Sequence, residues 1–370
     1  MAERRRVAVV STTRAEFHIL EPLLNALEAD PRFSLQLIVS GTHLSQRHGL
    51  TVEAVRERFP ELVEVDAQFD SSDPTALVRS CGLLAAGVAD QLRRSYADVL
   101  VVLGDRFELL SVAQSAILLG IPIAHLHGGE TTAGAIDDLV RNALTQLASL
   151  HLVATEEFAQ RVFALGGELG SVYVVGALGV EAALNNRSDS RSDALRATGL
   201  SDHPYVVVAL HSETRGLNTI HDLFESVRGA LEHFPDLGVV VTRPNADVGG
   251  DDLTESLKRW ASGRPRACFV DSLGDDFATV VSHAEAIIGN SSSGVIEAPA
   301  LRTPTVNIGE RQRGRPCASS VLSVAAEVDA VSAAIETALT VPISYNEIPY
   351  RGEQAAKDTL EALASFQRRG

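Results

Sequence analysis

The strongest constraint on this chain is a pattern that repeats along most of its length. A short run of Val, Ile and Leu is followed by a longer stretch with helical spacing. In the first half the apolar runs fall at 7–11, 35–40, 98–103, 121–126, 150–154 and 172–176. Helical patterns lie between them at 17–28, 75–95, 108–119, 137–148 and 156–165. The runs are continuously apolar rather than alternating, as in parallel strands covered on both faces. Strand–helix alternation closes into such a sheet through right-handed crossovers.

A polar stretch at 185–193 reads as a linker or exposed connection, after which runs recur at 205–210, 238–242, 267–270, 286–289 and 305–308. With 370 residues the chain exceeds one compact core of ordinary size. The expected fold is α/β, with two Rossmann-like domains of parallel strands facing a cleft. The N-terminal domain spans 1–184 and carries the acid–base groups; the C-terminal domain spans 194–345. An amphipathic helix within 346–370 is expected to pack back on the N-terminal domain. Open sheets of this kind bind ligands at the carboxyl ends of their strands.

A formal net charge of -16 disfavours nucleic acid and anionic membrane as partners. A polyanionic ligand would therefore need local cations and backbone N–H groups. Cys81, Cys268 and Cys317 are widely spaced and form no CxxC pair, against a zinc knot or a disulfide framework. No spacing defines a metal geometry, so neither metal nor cofactor is expected. The first turn reads Ser11-Thr12-Thr13-Arg14-Ala15-Glu16, with no GxGxxG, and no Walker A sequence occurs, which argues against a dinucleotide. The basic N-terminus runs straight into a strand pattern with no signal-like apolar segment, and no apolar run is long enough to span a bilayer. A cytoplasmic protein is expected.

In the second half, Gly289-Asn290-Ser291-Ser292-Ser293-Gly294 follows an apolar run and enters a helical pattern that contains Glu297. Hydroxyl residues and backbone donors at such a turn suit phosphate, and Glu297 suits ribose hydroxyls. Equally, the serine can be an ordinary N-cap and Glu297 a capping carboxylate. Arg311-Gln312-Arg313-Gly314-Arg315 places three arginines in five residues after another strand pattern, suited to a diphosphate or else to solvent. Arg14 in the first turn, and His211 after the run at 205–210, also sit at strand ends; for the latter, Ser212 or Thr214 can simply cap a helix.

The acid–base candidates lie in the first half. Gly104-Asp105-Arg106 ends one strand pattern, and His127-Gly128-Gly129-Glu130 ends the next, with Asp137 close behind. An imidazole and several carboxylates at neighbouring strand ends suit proton transfer, and the paired glycines would let backbone approach a ligand closely. Alternatively, Asp137 caps the helix that starts there, and His127 with Glu130 forms a structural pair. The role of His43 stays open.

Taken in order, Ser40-Gly41-Thr42-His43-Leu44, Gly104-Asp105-Arg106-Phe107-Glu108, His125-Leu126-His127-Gly128-Gly129-Glu130, Ile136-Asp137-Asp138, Arg243-Pro244-Asn245, the serine turn and the arginine loop resemble the UDP-N-acetylglucosamine 2-epimerase family. The resemblance covers nearly the whole chain and is nearest to the hydrolysing branch. It implies a glycosyltransferase-B-like fold, a homodimer or homotetramer, and a UDP-sugar held mainly by the C-terminal half. By position, Ser291 and Ser292 would contact phosphate, Glu297 ribose, and Arg311 the far side of the ligand. Arg14, Arg106, His211, Asn245 and Arg315 would line the site. Asp105 and Asp137 match positions linked to proton transfer. Where sialic-acid-type members often carry a glutamate, this chain has His127, which leaves the second proton to His127 or Glu130. The implied reaction removes UDP and the C2 proton from an N-acetylhexosamine, then adds water.

Overall fold

The computed structural model describes residues 4–71, 73–131, 136–211, 219–244, 250–342, 344–345 and 347–367. The chain forms two compact units. One comprises Met1–Glu130, Asp137–Ala182 and Gly352–Gly370; the other comprises Thr131–Ile136 and Ala183–Arg351.

The first unit is built on β1 (Arg5–Ser11), β2 (Phe33–Val39), β3 (Val63–Glu64), β4 (Val99–Leu103), β5 (Ile123–Leu126), β6 (Leu150–Val153) and β7 (Val172–Val174). All neighbouring strands are parallel, in the order β3-β2-β1-β4-β5-β6-β7. The side chains of β1 show why its sequence does not alternate. Val7 and Val9 enter one core with Leu20, Leu24 and Leu363, while Ala8 and Val10 enter another with Leu84, Val88 and Leu100. Both faces are covered, so both must be apolar.

The second unit contains β8 (Tyr205–Ala209), β9 (Gly238–Thr242), β10 (Ala267–Val270), β11 (Ala286–Gly289), β12 (Thr305–Ile308) and β13 (Val321–Val324). Its sheet is also parallel, in the order β10-β9-β8-β11-β12-β13. Here too a strand feeds two cores: Val206 and Val208 on one face, Tyr205, Val207 and Ala209 on the other. In each sheet the strand order reverses beside the first strand, between β1 and β4 and between β8 and β11. Crevices outside the carboxyl ends of strands at such switch points are the usual ligand sites of doubly wound sheets.

Two helices begin where a pair of side chains satisfies their free N–H groups. The helix Arg14–Ala29 opens with a capping box between Thr13 and Glu16, and Ile220–Glu232 with one between Thr219 and Asp222. The helix Ala355–Ser365 lies against Arg14–Ala29 and puts Leu360 and Leu363 into the core beneath β1 and β4. Glu181 Oε2 accepts the Ala356 N–H at 2.7 Å and fixes the helix start.

Two features depart from expectation. The polar stretch 185–193 is largely exposed, as a connection, but it is partly helical: the helix Leu178–Asn186 ends within it and Arg191–Thr198 begins within it. Ser188 pins it, its N–H donating to Thr279 Oγ1 at 3.0 Å and its hydroxyl to Asp193 Oδ2 at 2.7 Å. The edge strands β3 and β13 are additional. Among the described residues no helix is long and apolar enough to cross a membrane.

Candidate active site

At the switch point of the second sheet, β8 and β11 come close because residue 289 is glycine. Its φ is +141°, and a Cβ there would sit 2.0 Å from the Ala209 carbonyl oxygen. The next residue, Asn290, is fully buried and acts as a hub. Its Oδ1 accepts the His211 N–H at 2.8 Å, and its Nδ2 donates to the His211 carbonyl at 2.9 Å. Its own carbonyl accepts Arg311 Nη1 at 3.2 Å and Gln312 Nε2 at 2.8 Å. One asparagine thus joins the serine turn, the end of β8 and the arginine loop.

Within that cluster Ser291 is the N-cap of the helix Ser292–Ile296, its hydroxyl accepting the Ser293 N–H at 3.4 Å. The helix has five residues, too few for a strong macrodipole, so any anion held here depends on individual donors and on Arg311. Glu297 is buried at its end, and His211 is buried beside Arg311. Burial first, and then the Arg311 charge, push the His211 imidazole down to about 3, so it is neutral. The three arginines divide. Arg311 and Arg315 are buried, the latter donating through Nε to the Thr131 carbonyl at 2.9 Å, whereas Arg313 is exposed and pairs with Glu310 at 3.0 Å. Asn245, Ser212 and Thr214 lie outside the described residues.

In the first unit, Gly104 carries β4 into the Asp105–Arg106 turn. Its carbonyl accepts from His125 Nε2 at 2.7 Å, which leaves Nδ1 to accept from the Thr145 hydroxyl at 3.3 Å. Burial holds His125 neutral, at about 3. Asp105 forms an ion pair with Arg141, a residue the motif reading passed over. Arg141 is buried, donates through Nη1 to the His127 carbonyl at 2.7 Å, and lies 3.8 Å from Glu130 Oε2. Burial works against its charge, but Asp105 and Glu130 outweigh burial and raise its affinity for the proton. A sequence signal existed: Arg141 falls on the buried face of the helix Asp137–Leu147 with Val140, Leu144 and Thr145. A cation on such a face needs a buried anion.

His127 has a φ of +59°, left-handed for a non-glycine residue. Its Nδ1 lies 2.6 Å from Glu130 Oε1, and its Nε2 is buried with no hydrogen-bond partner among the described residues. A carboxylate that accepts from Nδ1 fixes the tautomer and leaves Nε2 as the basic nitrogen. The adjoining glycines serve packing against protein. A Cβ on Gly129 would lie 2.7 Å from the Phe158 carbonyl, and one on Gly128 2.9 Å from His125 Nδ1. Asp137 opens its helix, half-buried, and its charge is felt by Arg141.

Arg14 is the exposed first residue of the helix Arg14–Ala29, and Arg106 donates through Nε to Glu108 Oε1 at 2.8 Å. His43 is fully buried between Ser11, at 3.0 Å, and Thr51, at 2.8 Å, as a neutral link between the end of β1 and the following turn. The structure therefore gathers Asp105, His127, Glu130 and Asp137 around Arg141, and Ser291, His211 and Arg311 around Asn290.

Residues 25–364 match the family model described as UDP-N-acetylglucosamine 2-epimerase. The chain belongs to that family. Among its relatives, the polysialic acid biosynthesis protein P7 of Escherichia coli is 30% identical over 369 residues, 98% of this chain and 94% of that one. The GDP/UDP-N,N'-diacetylbacillosamine 2-epimerase (hydrolyzing) of Campylobacter jejuni is 32% identical over 315 residues, 84% of this chain and 82% of that one. The crystal structure of the UDP-GlcNAc 2-epimerase from Neisseria meningitidis, bound to UDP-GlcNAc, shares the epimerase fold with a TM-score of 0.82 at 17% identity, covering 98% of this chain and 100% of that one.

Proposed function

We propose that this epimerase is of the hydrolysing type, converting UDP-N-acetylglucosamine to UDP and N-acetylmannosamine. The observation that carries the proposal is the His127–Glu130 pair: an imidazole oriented by a carboxylate, with a buried, open Nε2, beside the Asp105–Arg141 ion pair. That is equipment for moving protons at a substrate atom. The Asn290 cluster ties Arg311 to the serine turn, and we assign to these groups the donors a diphosphate leaving group requires.

In the proposed reaction a base takes the C2 proton while the C1–O bond breaks and UDP departs with the bonding pair, leaving 2-acetamidoglucal. A water then gives its hydroxyl to C1, and C2 receives a proton from the opposite face. The C2 proton sits on the carbon that bears the acetamido nitrogen, with no carbonyl carbon attached to C2, so it is weakly acidic and the elimination relies on stabilising the departing diphosphate. Ser291, Ser292, Arg311 and Arg315 are assigned to that task, with Glu297 on the ribose and Arg14, Arg106, His211 and Asn245 lining the ligand. Asp105 and Asp137 are assigned to proton transfer, together with His127 or Glu130, whose carboxylate also orients the imidazole. The hydrolysing outcome is supported by the Campylobacter jejuni relative at 32% identity. The same relative motivates a second reading, in which the sugar is a 2,4-diacetamido-trideoxyhexose.

Incubation in heavy water with each sugar nucleotide, followed by proton NMR of all products, tests both. Free N-acetylmannosamine deuterated at C2, together with UDP, is expected. Recovery of UDP-N-acetylmannosamine would mean a non-hydrolysing epimerase, and hydrolysis without deuterium at C2 would mean simple glycosyl transfer.

A further inference from the structure

Outside the groups assigned to chemistry, the first unit buries a second pair of acids. Glu16 and Glu108 are each almost fully buried and approach the same atom. Thr12 Oγ1 lies 2.6 Å from Glu16 Oε2 and 2.9 Å from Glu108 Oε1. Glu16 Oε2 also accepts the N–H groups of Thr12 at 2.9 Å and Thr13 at 3.1 Å, and Glu108 Oε1 also accepts Arg106 Nε at 2.8 Å. The remaining oxygens, Glu16 Oε1 and Glu108 Oε2, are buried with no hydrogen-bond partner among the described residues.

A threonine hydroxyl has one hydrogen. With both carboxyls ionised it could satisfy one of its two neighbours, and the other contact would set lone pair against lone pair in a buried place. A single added proton completes the chain. One proton between the two carboxyls lets the Thr12 hydroxyl donate to one of them and accept from the other, while Arg106 Nε donates to Glu108 Oε1.

We propose that Glu16 and Glu108 share one proton through Thr12 and are positioning residues for the reaction, holding Arg106 at the end of β4 beside Asp105. The proposal rests on the assignment of Arg106 to the UDP-sugar site. The charged groups facing Glu16 are Glu108 and Arg106; burial first, then Glu108, raise its carboxyl to about 7 against the opposing pull of Arg106 and the Thr12 hydrogen bonds. Arg14 and His18 lie on its own helix. His43, from the turn after β2, is held neutral by burial, and Cys81, from the helix Pro74–Ser95, feels Glu108.

A carboxyl raised on folding contributes stability that is full below about 4.5 and is lost as pH climbs to about 7. In the full chain, a carboxylic-acid C=O infrared band is expected at neutral pH and should vanish in Glu16→Gln, whose urea stability should lose that decline. Once Glu16 ionises, the Thr12 hydroxyl can serve only one of the two carboxylates, and the second negative charge draws the Arg106 guanidinium inward, away from an anionic ligand. UDP affinity in wild type, by calorimetry, is then expected to fall about tenfold as pH rises through about 7, the size of one hydrogen bond to a charged group. In Glu16→Gln the affinity should stay level.

Thr12→Val, which keeps both acids but removes the bridge, should bind UDP weakly at every pH and covers the case in which Glu16→Gln fails to fold. An alkaline loss of affinity that persists in Glu16→Gln, tight pH-dependent binding by Thr12→Val, or absence of the acid band overturns the proposal. If wild type binds no UDP at any pH, the UDP-sugar reading and the positioning role fall together, while the infrared and urea measurements still decide whether the proton is shared.

Discussion

At the scale of single residues, the first unit's chemistry turns on how buried charges are paired. Asp105→Asn keeps the shape of the side chain but removes the carboxylate. Turnover is expected to fall by about 10²–10⁴-fold, the range of acid–base groups, with UDP affinity nearly unchanged by calorimetry. An unaltered turnover would reject the assigned role. Arg141→Met leaves Asp105 and Glu130 facing each other without the guanidinium, and breaking a buried pair from one side costs about 3–5 kcal/mol. Urea unfolding measures that loss directly; a change under about 1 kcal/mol, as for an exposed pair, would mean the site is wetter than its burial indicates. What could be read beforehand follows the same logic. Asp105, His127, Glu130 and Asp137 were visible because chemically active side chains stood at the ends of apolar runs. Arg141 and Asn290 were not, since their importance comes from atoms brought together by the fold: a carbonyl of His127, the backbone of His211, a guanidinium from Arg311.

Among the elements, the continuously apolar strands β1, β4, β8 and β11 were legible because each must satisfy a core on either face. The edges were not. β3 has two residues, too few to show a pattern, and β13, a half-buried Val-Leu-Ser-Val, is a four-residue run broken by an exposed serine. The stretch 185–193 reads as a connection and much of it is exposed, but its polar composition hid that it also ends one helix and starts the next. The C-terminal helix is a true part of the first core. Leu363 is fully buried there, so Leu363→Ala is expected to cost about 2–5 kcal/mol, seen as a lower urea midpoint with an unchanged slope. A cost below about 1 kcal/mol would show that the helix only rests on the surface.

For the whole molecule, the histidines set the acid limit of stability. His43 and His151 are held near 4 and His125 and His211 near 3, all chiefly by burial, against an ordinary value of 6.5. Each binds a proton more readily unfolded than folded. Their contribution is complete above about 6.5 and is lost as pH falls toward those lower values, at up to about 1.4 kcal/mol per pH unit for each. Urea unfolding repeated on descending pH should show this slope, and His43→Gln should reduce it; a flat profile between neutrality and about 5 would count against neutral burial.

The first unit is assembled from three separate stretches of chain, the last of which, Gly352–Gly370, follows the entire second unit. On a ribosome the later sheet has all its strands before the earlier one has its closing helix. A nascent chain halted near residue 345 should therefore expose the apolar flank of Arg14–Ala29 to chaperones, even though every residue assigned to chemistry has already been made.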